Sequence, residues 1–441
     1  MSSRAFGLVR PAWRNFARNL RRYRVLLAAL VLIVMVLIAV LGTLLGLQDS
    51  VRAKASRYFA GNLAVLGFSG NGSSLINDPE AVERAFSSLR DAGEPVRAWS
   101  RRSTYYNPTS VELFFSGYST RQRRLVGVEW ALEGPVLEDF LFIEGGVPQP
   151  GDESGILIST ATARDLGIRV GDPVLVSITT DRRRSNTTEL IVRGIYSETS
   201  FFGYTGYMHR RALNRLREAP EDLVNEMGVY LERSGPAQEI ASAAALTEAL
   251  VAAGLQTFPV ISSRAEYSAA SGAPRSQLEY GVVPVGAQLQ EITDLLAAIT
   301  IVAATVIVLF LGIVVVGVSN TWTMVVWERT AEIGTLRALG LQRTGTVELF
   351  LLEAMFLGLI GVILGSVLGV GLLAGIGAWV EFPPNAATTL FLTRGHLAWY
   401  LPWWAFAATA VLAVSAGLFG ALRAAVRAGA IHPVEALRRA K

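Results

Sequence analysis

The chain reads as an α-helical membrane protein with four transmembrane helices and a large mixed α/β extracytoplasmic domain inserted between helices 1 and 2. Three observations predict this. Four stretches are apolar over the roughly 20 residues a helix needs to cross a hydrocarbon core. Arginine gathers in the short flanks on one side of them. The 245 residues from 48 to 292 return to the strand and helix patterning of a folded domain. Composition agrees, since hydrophobic residues make up 51% and charged residues 17%, against about a quarter charged in ordinary soluble domains.

Residues 1–24 are arginine-rich, and Phe6, Val9, Trp13, Phe16 and Leu20 recur every three or four positions with arginines opposite. That pattern predicts an amphipathic helix at the membrane surface, read either as an anchor or as a gate-positioning element. Residues 25–47 form the first span, 23 residues without a charge. The run is too long for a signal-peptide core, and LGTLLGLQDS offers no A-x-A site, so it reads as a retained anchor. Within the domain at 48–292, helices are expected over 79–93 and 235–254 and a strand pair within 112–130. A hairpin is expected over 173–196, where Val174, Val176 and Ile178 alternate with polar residues. The β-rich middle runs from about 110 to 200, and SAASGAPRSQ (268–277) reads as a flexible return. Then follow a second span at 293–326, a charged connection at 327–346, and a third span at 347–380. An outer loop (381–400), a fourth span (401–422) and a tail (423–441) complete the chain.

Arginine bias sets the orientation. Seven arginines precede the first span, Arg423, Arg427, Arg438 and Arg439 follow the fourth, and Arg329, Arg337 and Arg343 lie between spans two and three. The loop between spans three and four holds only Arg394. Both termini and the 327–346 connection are therefore expected in the cytoplasm, with the large domain periplasmic or extracellular and the chain in the cytoplasmic (inner) membrane. Trp379, Trp399, Tyr400, Trp403 and Trp404 then fall at the outer interface, where amphipathic rings gather.

The chain has no cysteine, which excludes disulfides, thiolate metal sites and iron–sulfur clusters. Its histidines, His209, His396 and His432, fit no metal-ligand spacing, so no metal site is expected. Neither lysine, Lys54 nor Lys441, lies in a G-x-x-x-x-G-K-[ST] context, and no catalytic motif is visible. The expectation is a non-enzymatic chain with no cofactor of its own. The net charge of +4 follows membrane topology and does not point to nucleic acid.

The segment WERTAEIGTLRALGLQRTG (327–345) interrupts two apolar walls. If Thr330 to Leu339 is helical, Ile333, Leu336 and Leu339 form an apolar stripe, Glu328, Glu332 and Arg337 take the other faces, and Gly340 ends the helix. On pattern alone it is either a topology-setting connection or a helix that docks into a partner's groove. In span three, Gly361, Gly365 and Gly369 repeat at four, as do Gly371 and Gly375, which predicts a close-packing face towards span two or another subunit. Glu353 lies about 9 Å inside the cytoplasmic start of that span. An ion pair with an arginine suits it better than a proton relay. In TSFFGYTGYM (199–208), Phe201, Phe202, Tyr204 and Tyr207 read either as domain core or as an exposed surface that grips a substrate or partner.

NTWTMVVWERTAEIGTLRALGLQRTGTVELFLLEAMFLGLIG (320–361) resembles the signature region of FtsX/MacB-type ABC transporter permeases, an ERT-x-EIG-x-LRALG stretch followed by FL-x-EA-x-x-LG-x-x-G. AWRNFARNLRRYR (12–24) resembles that family's amino-terminal helix and IHPVEALRRA (431–440) its carboxy-terminal PVEALR ending. GDESGILISTATARDLGIRVGDPV (151–174) is more weakly similar to its external domain. The resemblance implies a permease subunit of lipoprotein-releasing or macrolide-exporter type, working by mechanotransmission. A separate P-loop ATPase subunit carries ATP and Mg, and a second permease completes a homodimer or heterodimer. A periplasmic adaptor or lipoprotein carrier is a further implied partner. In that family the segment between spans two and three is the coupling helix. Carried over, Glu328, Arg329, Glu332, Ile333, Gly334, Leu336, Arg337 and Gly340 dock against the ATPase. The implied function is extrusion or release of a lipophilic substrate, whether lipoprotein, peptide or drug. The alternative is a regulatory transducer that activates a partner such as a cell-wall hydrolase.

Overall fold

The computed structural model describes residues 3–430 apart from 19, 70–73, 108–109, 181, 199–202, 233–234, 274, 384–385 and 393–394. The chain opens with α1 (Ser3–Arg18) and the long α2 (Leu20–Tyr58). Next come β1 (Leu63–Phe68), α3 (Pro79–Asp91), β2 (Val96–Tyr106), β3 (Glu112–Phe115), β4 (Tyr118–Arg121) and β5 (Arg124–Val128). They lead to α4 (Trp130–Leu137), β6 (Phe142–Gly145), β7 (Gly155–Ser159), α5 (Thr160–Leu166), β8 (Pro173–Thr179) and β9 (Ser185–Tyr196). After these lie β10 (Thr205–His209), α6 (Arg210–Leu216), β11 (Glu226–Leu231), α7 (Pro236–Ala252), α8 (Arg264–Gly272) and β12 (Glu279–Pro284). The remainder is helical: α9 (Val285–Gln288), α10 (Gln290–Glu328), α11 (Thr330–Ala338), α12 (Arg343–Trp379), α13 (Ala386–Phe391) and α14 (Trp403–Ala430).

The described residues form two units. One comprises residues up to Leu47, Leu296–Glu381 and the chain from His396 onward; the other comprises Gln48–Leu295 and Phe382–Gly395. Among the described residues, four helices are long and apolar enough to cross a membrane: Tyr23–Tyr58, Gln290–Glu328, Arg343–Trp379 and Trp403–Ala430. Glycine spacing explains how two of them pack. A Cβ at Gly361 would meet Leu30, one at Gly365 would stand 2.6 Å from Val34 and 2.7 Å from the Val31 carbonyl, and one at Gly369 would stand 2.8 Å from Ile38. The glycine face of α12 therefore meets span one, and not span two or a second subunit as the sequence suggested. Contact this close allows no side chain, which is why the positions are glycine. Gly371 and Gly375 face open space and play no part in it.

The amino-terminal helix is more than a surface anchor. Ala12 and Phe16 are buried, and Ala12 and Val9 pack with Leu349, Leu352 and Phe356 of α12. Trp13 meets Phe356 edge-on at 5.3 Å. Arg10, Arg14 and Arg18 stay exposed. The side chains of Phe6 and Leu20 lie outside the described residues.

The second unit is built on a 12-stranded sheet in the order β12-β1-β11-β2-β5-β10-β7-β9-β8-β3-β4, with β6 paired to β9. Pairs β5/β10 and β7/β9 are parallel; the other strand pairs are antiparallel. The β8–β9 hairpin registers Val174 with Leu190 and Val176 with Thr188, and in β8 it buries Val174, Val176 and Ile178 on one face and leaves the other more open, the arrangement period-two alternation demands. Strands extend well beyond residues 110–200. Helices α3 and α7 cover β1, β11 and β12 through Val82, Phe86, Leu89, Leu246 and Leu250. Residues 268–272, the first part of the segment 268–277 that the sequence suggested as a flexible return, belong to helix α8. Ser263 caps α8 by accepting from the Glu266 N–H at 3.2 Å, an S-x-x-E start signal.

Candidate coupling site

Helix α10 stops at Glu328 because Arg329 leaves helical geometry (φ −98°, ψ 11°) and serves as the N-cap of α11. At the other end, the Gly340 N–H bonds the Arg337 carbonyl and the Leu341 N–H bonds the Leu336 carbonyl. This double closure requires a left-handed residue between them, and Gly340 supplies it at φ +100°. Gln342 is extended, and α12 begins at Arg343. The result is a nine-residue helix, about 13.5 Å long, set off at both ends from its neighbours.

Two arginines tie this helix to the spans. Arg329 donates from Nη1 to Glu353 Oε1 at 3.1 Å and Oε2 at 2.9 Å, and from Nε to Glu332 Oε2 at 2.9 Å. Tyr23 of α2 donates its hydroxyl to Glu353 Oε2 at 3.0 Å. Glu353 is fully buried and Arg329 is 3% exposed. The guanidinium lies 5.4 Å from the Phe350 ring, a cation–π distance. Around this polar centre sits an aromatic shell. Tyr23 stacks on Phe16 at 5.9 Å and meets Trp322 at 5.3 Å, and Trp322 meets Phe350 edge-on at 6.0 Å. The second arginine, Arg337, donates to the Gly429 carbonyl at 3.1 Å in the last turn of α14. Residues of α1, α2, α10, α11, α12 and α14 thus meet in one cluster.

This geometry divides the residues the sequence grouped for docking. Arg329, Ile333 and Gly334 are buried within the chain itself, and Arg337 is half-buried and bonded to α14. They hold the helix in place and do not present it outward, a correction to the grouping. Glu328, Glu332, Leu336 and Gly340 are exposed, and Leu339 is 81% exposed. The apolar stripe is therefore split, with Ile333 turned inward while Leu336 and Leu339 face out beside Trp327, itself 65% exposed. The arginine that partners Glu353 is Arg329, 24 positions away.

The aromatic run of the second unit separates as well. Phe201 and Phe202 lie outside the described residues. Tyr204 is half-buried at φ +57°, with its hydroxyl donating to Asp165 at 3.1 Å. Tyr207 is core: it is 2% exposed and packs with Phe140 and Tyr196, so it offers nothing to a substrate or partner. Sequence reasoning missed Arg102, which is wholly buried. Arg102 donates to Glu133 at 2.8 Å, to the carbonyls of Arg57 at 3.0 Å and Tyr58 at 3.2 Å, and to the Tyr230 hydroxyl at 2.6 Å. It satisfies the last carbonyls of α2, groups no helix can satisfy itself. Nothing in the spacing of Arg102 and Glu133 signals this pairing. The carboxy-terminal PVEALR motif lies outside the described residues. Among the described residues, no cluster of His, Asp and Glu has metal-binding geometry.

Comparison with known proteins places this arrangement. Residues 304–433, which contain α11 and the arginine joint with Glu353, match the family model for the FtsX-like permease C-terminal region. The match covers less than a third of the chain, in its carboxy-terminal part. An ABC transporter permease of Methanocaldococcus jannaschii is 31% identical over 161 residues, 36% of this chain and 38% of that one. The macrolide export ATP-binding/permease protein MacB of Bordetella avium is 33% identical over 143 residues, 32% of this chain and 20% of that protein. The ABC transporter permease YtrF of Bacillus subtilis is 38% identical over 56 residues, 13% of each chain. The matches thus span well under half of each relative. Among solved structures, the periplasmic region of MacB from Actinobacillus actinomycetemcomitans aligns with 54% of this chain and 95% of its own length, at 13% identity and a TM-score of 0.30.

Proposed function

We propose that this chain is the membrane subunit of an ATP-driven ABC transporter, and that α11 is the helix on which a separate P-loop ATPase acts. The observation that carries the reading is α11 itself. It is a short helix, closed off at both ends, between two helices able to span a membrane, inside the FtsX-like domain. The outward surface at and beside it carries Trp327 at the end of α10, Leu336 of α11 and Leu339 just beyond it, apolar groups that gain by burial against a partner, with exposed Glu328 and Glu332 to fix orientation. In this reading α11 and both termini lie in the cytoplasm of a chain set in the inner membrane, and the sheet unit lies on the opposite side. A second permease, identical or not, completes the assembly. The substrate is lipophilic: a lipoprotein, a peptide or a drug. The naming of several relatives as macrolide exporters supports that class.

The test uses variants at exposed positions, which leave the fold intact. Leu336→Asp and Leu339→Asp are expected to insert normally while losing copurification with the ATPase, or losing substrate-stimulated hydrolysis in nanodiscs. If both variants bind the ATPase and respond to substrate as the parent does, α11 is not the docking element.

A further inference from the structure

We propose that Arg329 and Glu353 form a charge-locked joint that makes α11 and the α2–α12 pair move as one body, with Tyr23 holding the Glu353 carboxylate in register. The proposal rests on the coupling reading of α11 and adds how movement leaves that helix. Helix α11 is joined to α12 by a short turn, Leu339–Gln342, containing Gly340, and to α10 by the break at Arg329. Both junctions are places where a pushed helix swivels unless something resists. Apolar contact resists poorly, because only Ile333 of α11 enters the buried hydrophobic cluster and a single contact allows rotation about itself. The guanidinium is different. Its planar fork bonds both oxygens of Glu353 through Nη1 and a third carboxylate oxygen, on Glu332, through Nε, which fixes the helix in direction as well as distance.

The receiving carboxylate sits on a stiff element. Glu353 lies on α12, whose glycine face at Gly361, Gly365 and Gly369 is seated against Leu30, Val34 and Ile38 of α2. The Tyr23 hydroxyl, from the start of that same α2, donates to Glu353. A displacement of α11 therefore reaches two spans at once. Helix α10 is the contrast, because much of it is exposed, including Ile301, Val302, Val306, Val308, Leu309 and Phe310. Buried ion pairs add little net stability, and their best-attested use is to specify one arrangement among several. That is the role assigned here.

The absence of native cysteine allows spin labels at exposed Thr335 on α11 and exposed Leu359 on α12 without other changes. The full chain is studied in nanodiscs with its ATPase, with and without ATP. The parent is expected to give one narrow interlabel distance distribution. The paired variant Arg329→Met with Glu353→Leu removes both halves of the buried pair and leaves Glu332, which is exposed, without its arginine, so it is expected to insert and to copurify with the ATPase. Its distribution should broaden, and ATP hydrolysis should persist without the parental shift of α12. Arg329→Lys keeps the charge but loses the fork, and should fall between the two. It also serves as the deciding variant if the apolar pair does not insert. A parental distribution and shift in the apolar pair, or in Arg329→Lys when it alone inserts, overturns the joint. Failure of the parent to bind an ATPase overturns the coupling reading, and the nucleotide-free distribution still decides the joint.

Discussion

Glu133→Leu in the second unit is the perturbation whose cost the structure sets most narrowly. Arg102 and Glu133 are both fully buried, and the guanidinium has Glu133 as its carboxylate partner alongside three neutral acceptors, the Arg57 and Tyr58 carbonyls and the Tyr230 hydroxyl. Removing the carboxylate leaves a cation in a dry site, which costs about 3–5 kcal/mol. Arg102→Met does the reverse and also uncaps α2, so its cost is expected to be at least as large. The double variant removes both charges at similar volume. What remains is the loss of bonds to two carbonyls and one hydroxyl, about 1–3 kcal/mol. The two single costs then exceed the double by about 3 kcal/mol or more, a coupling well beyond the additivity of independent sites. For a unit of this size, each kcal/mol moves the melting temperature by about 2–4 °C. Thermal unfolding of the full chain in detergent, followed by protease resistance of the sheet unit, should therefore show each single variant about 6–20 °C below the parent and the double variant much closer. If Glu133→Leu melts within about 2 °C of the parent, or the single effects simply add, the account of this pair is wrong.

Gly365→Ala should weaken the α2–α12 pair by about 1–3 kcal/mol, because the new methyl meets Val34 and the Val31 carbonyl. Gly371→Ala, with nothing within 4 Å, should be neutral or stabilising by up to about 1 kcal/mol; equal effects in a melting comparison would contradict the packing. Burial pushes the Glu198 carboxyl up from its ordinary 4.5 to about 7, with Lys54 and Arg57 drawing it back. Because the folded state holds this proton more tightly than the unfolded chain, the contribution is full below pH 4.5 and is lost as pH rises through 7, roughly 3 kcal/mol in all. Glu198→Gln should flatten the stability profile over that window, and an unchanged slope would show that another group governs it.

The four long apolar helices were legible because their signal is local: an apolar run of the right length needs no partner to be read. The β8–β9 hairpin was legible for the same reason, since its alternation reflects one buried and one open face. Strands β1, β11 and β12 were not, because nearly every residue in them is buried on both faces and the period-two signal vanishes. Helix α2 was read only to Leu47, because the charges after it hide a helix that continues to Tyr58 and buries Val51 and Ala55. In the candidate site, the existence of α11 and its glycine stop could be read from a dozen residues. Which way its side chains turn could not. Arg329 faces inward because of Glu353 and Tyr23, and such distant pairings leave no trace in spacing.

The central claim is that α11 meets an ATPase from the cytoplasmic side, and Leu339→Cys tests it most directly, as the single cysteine of the chain on a side chain that is 81% exposed. In intact cells the account predicts that this thiol resists a membrane-impermeant reagent applied from outside and crosslinks to the ATPase subunit, with a yield that changes when ATP is trapped. Labelling from outside the cell, or no crosslink to an ATPase that copurifies with the chain, would contradict it.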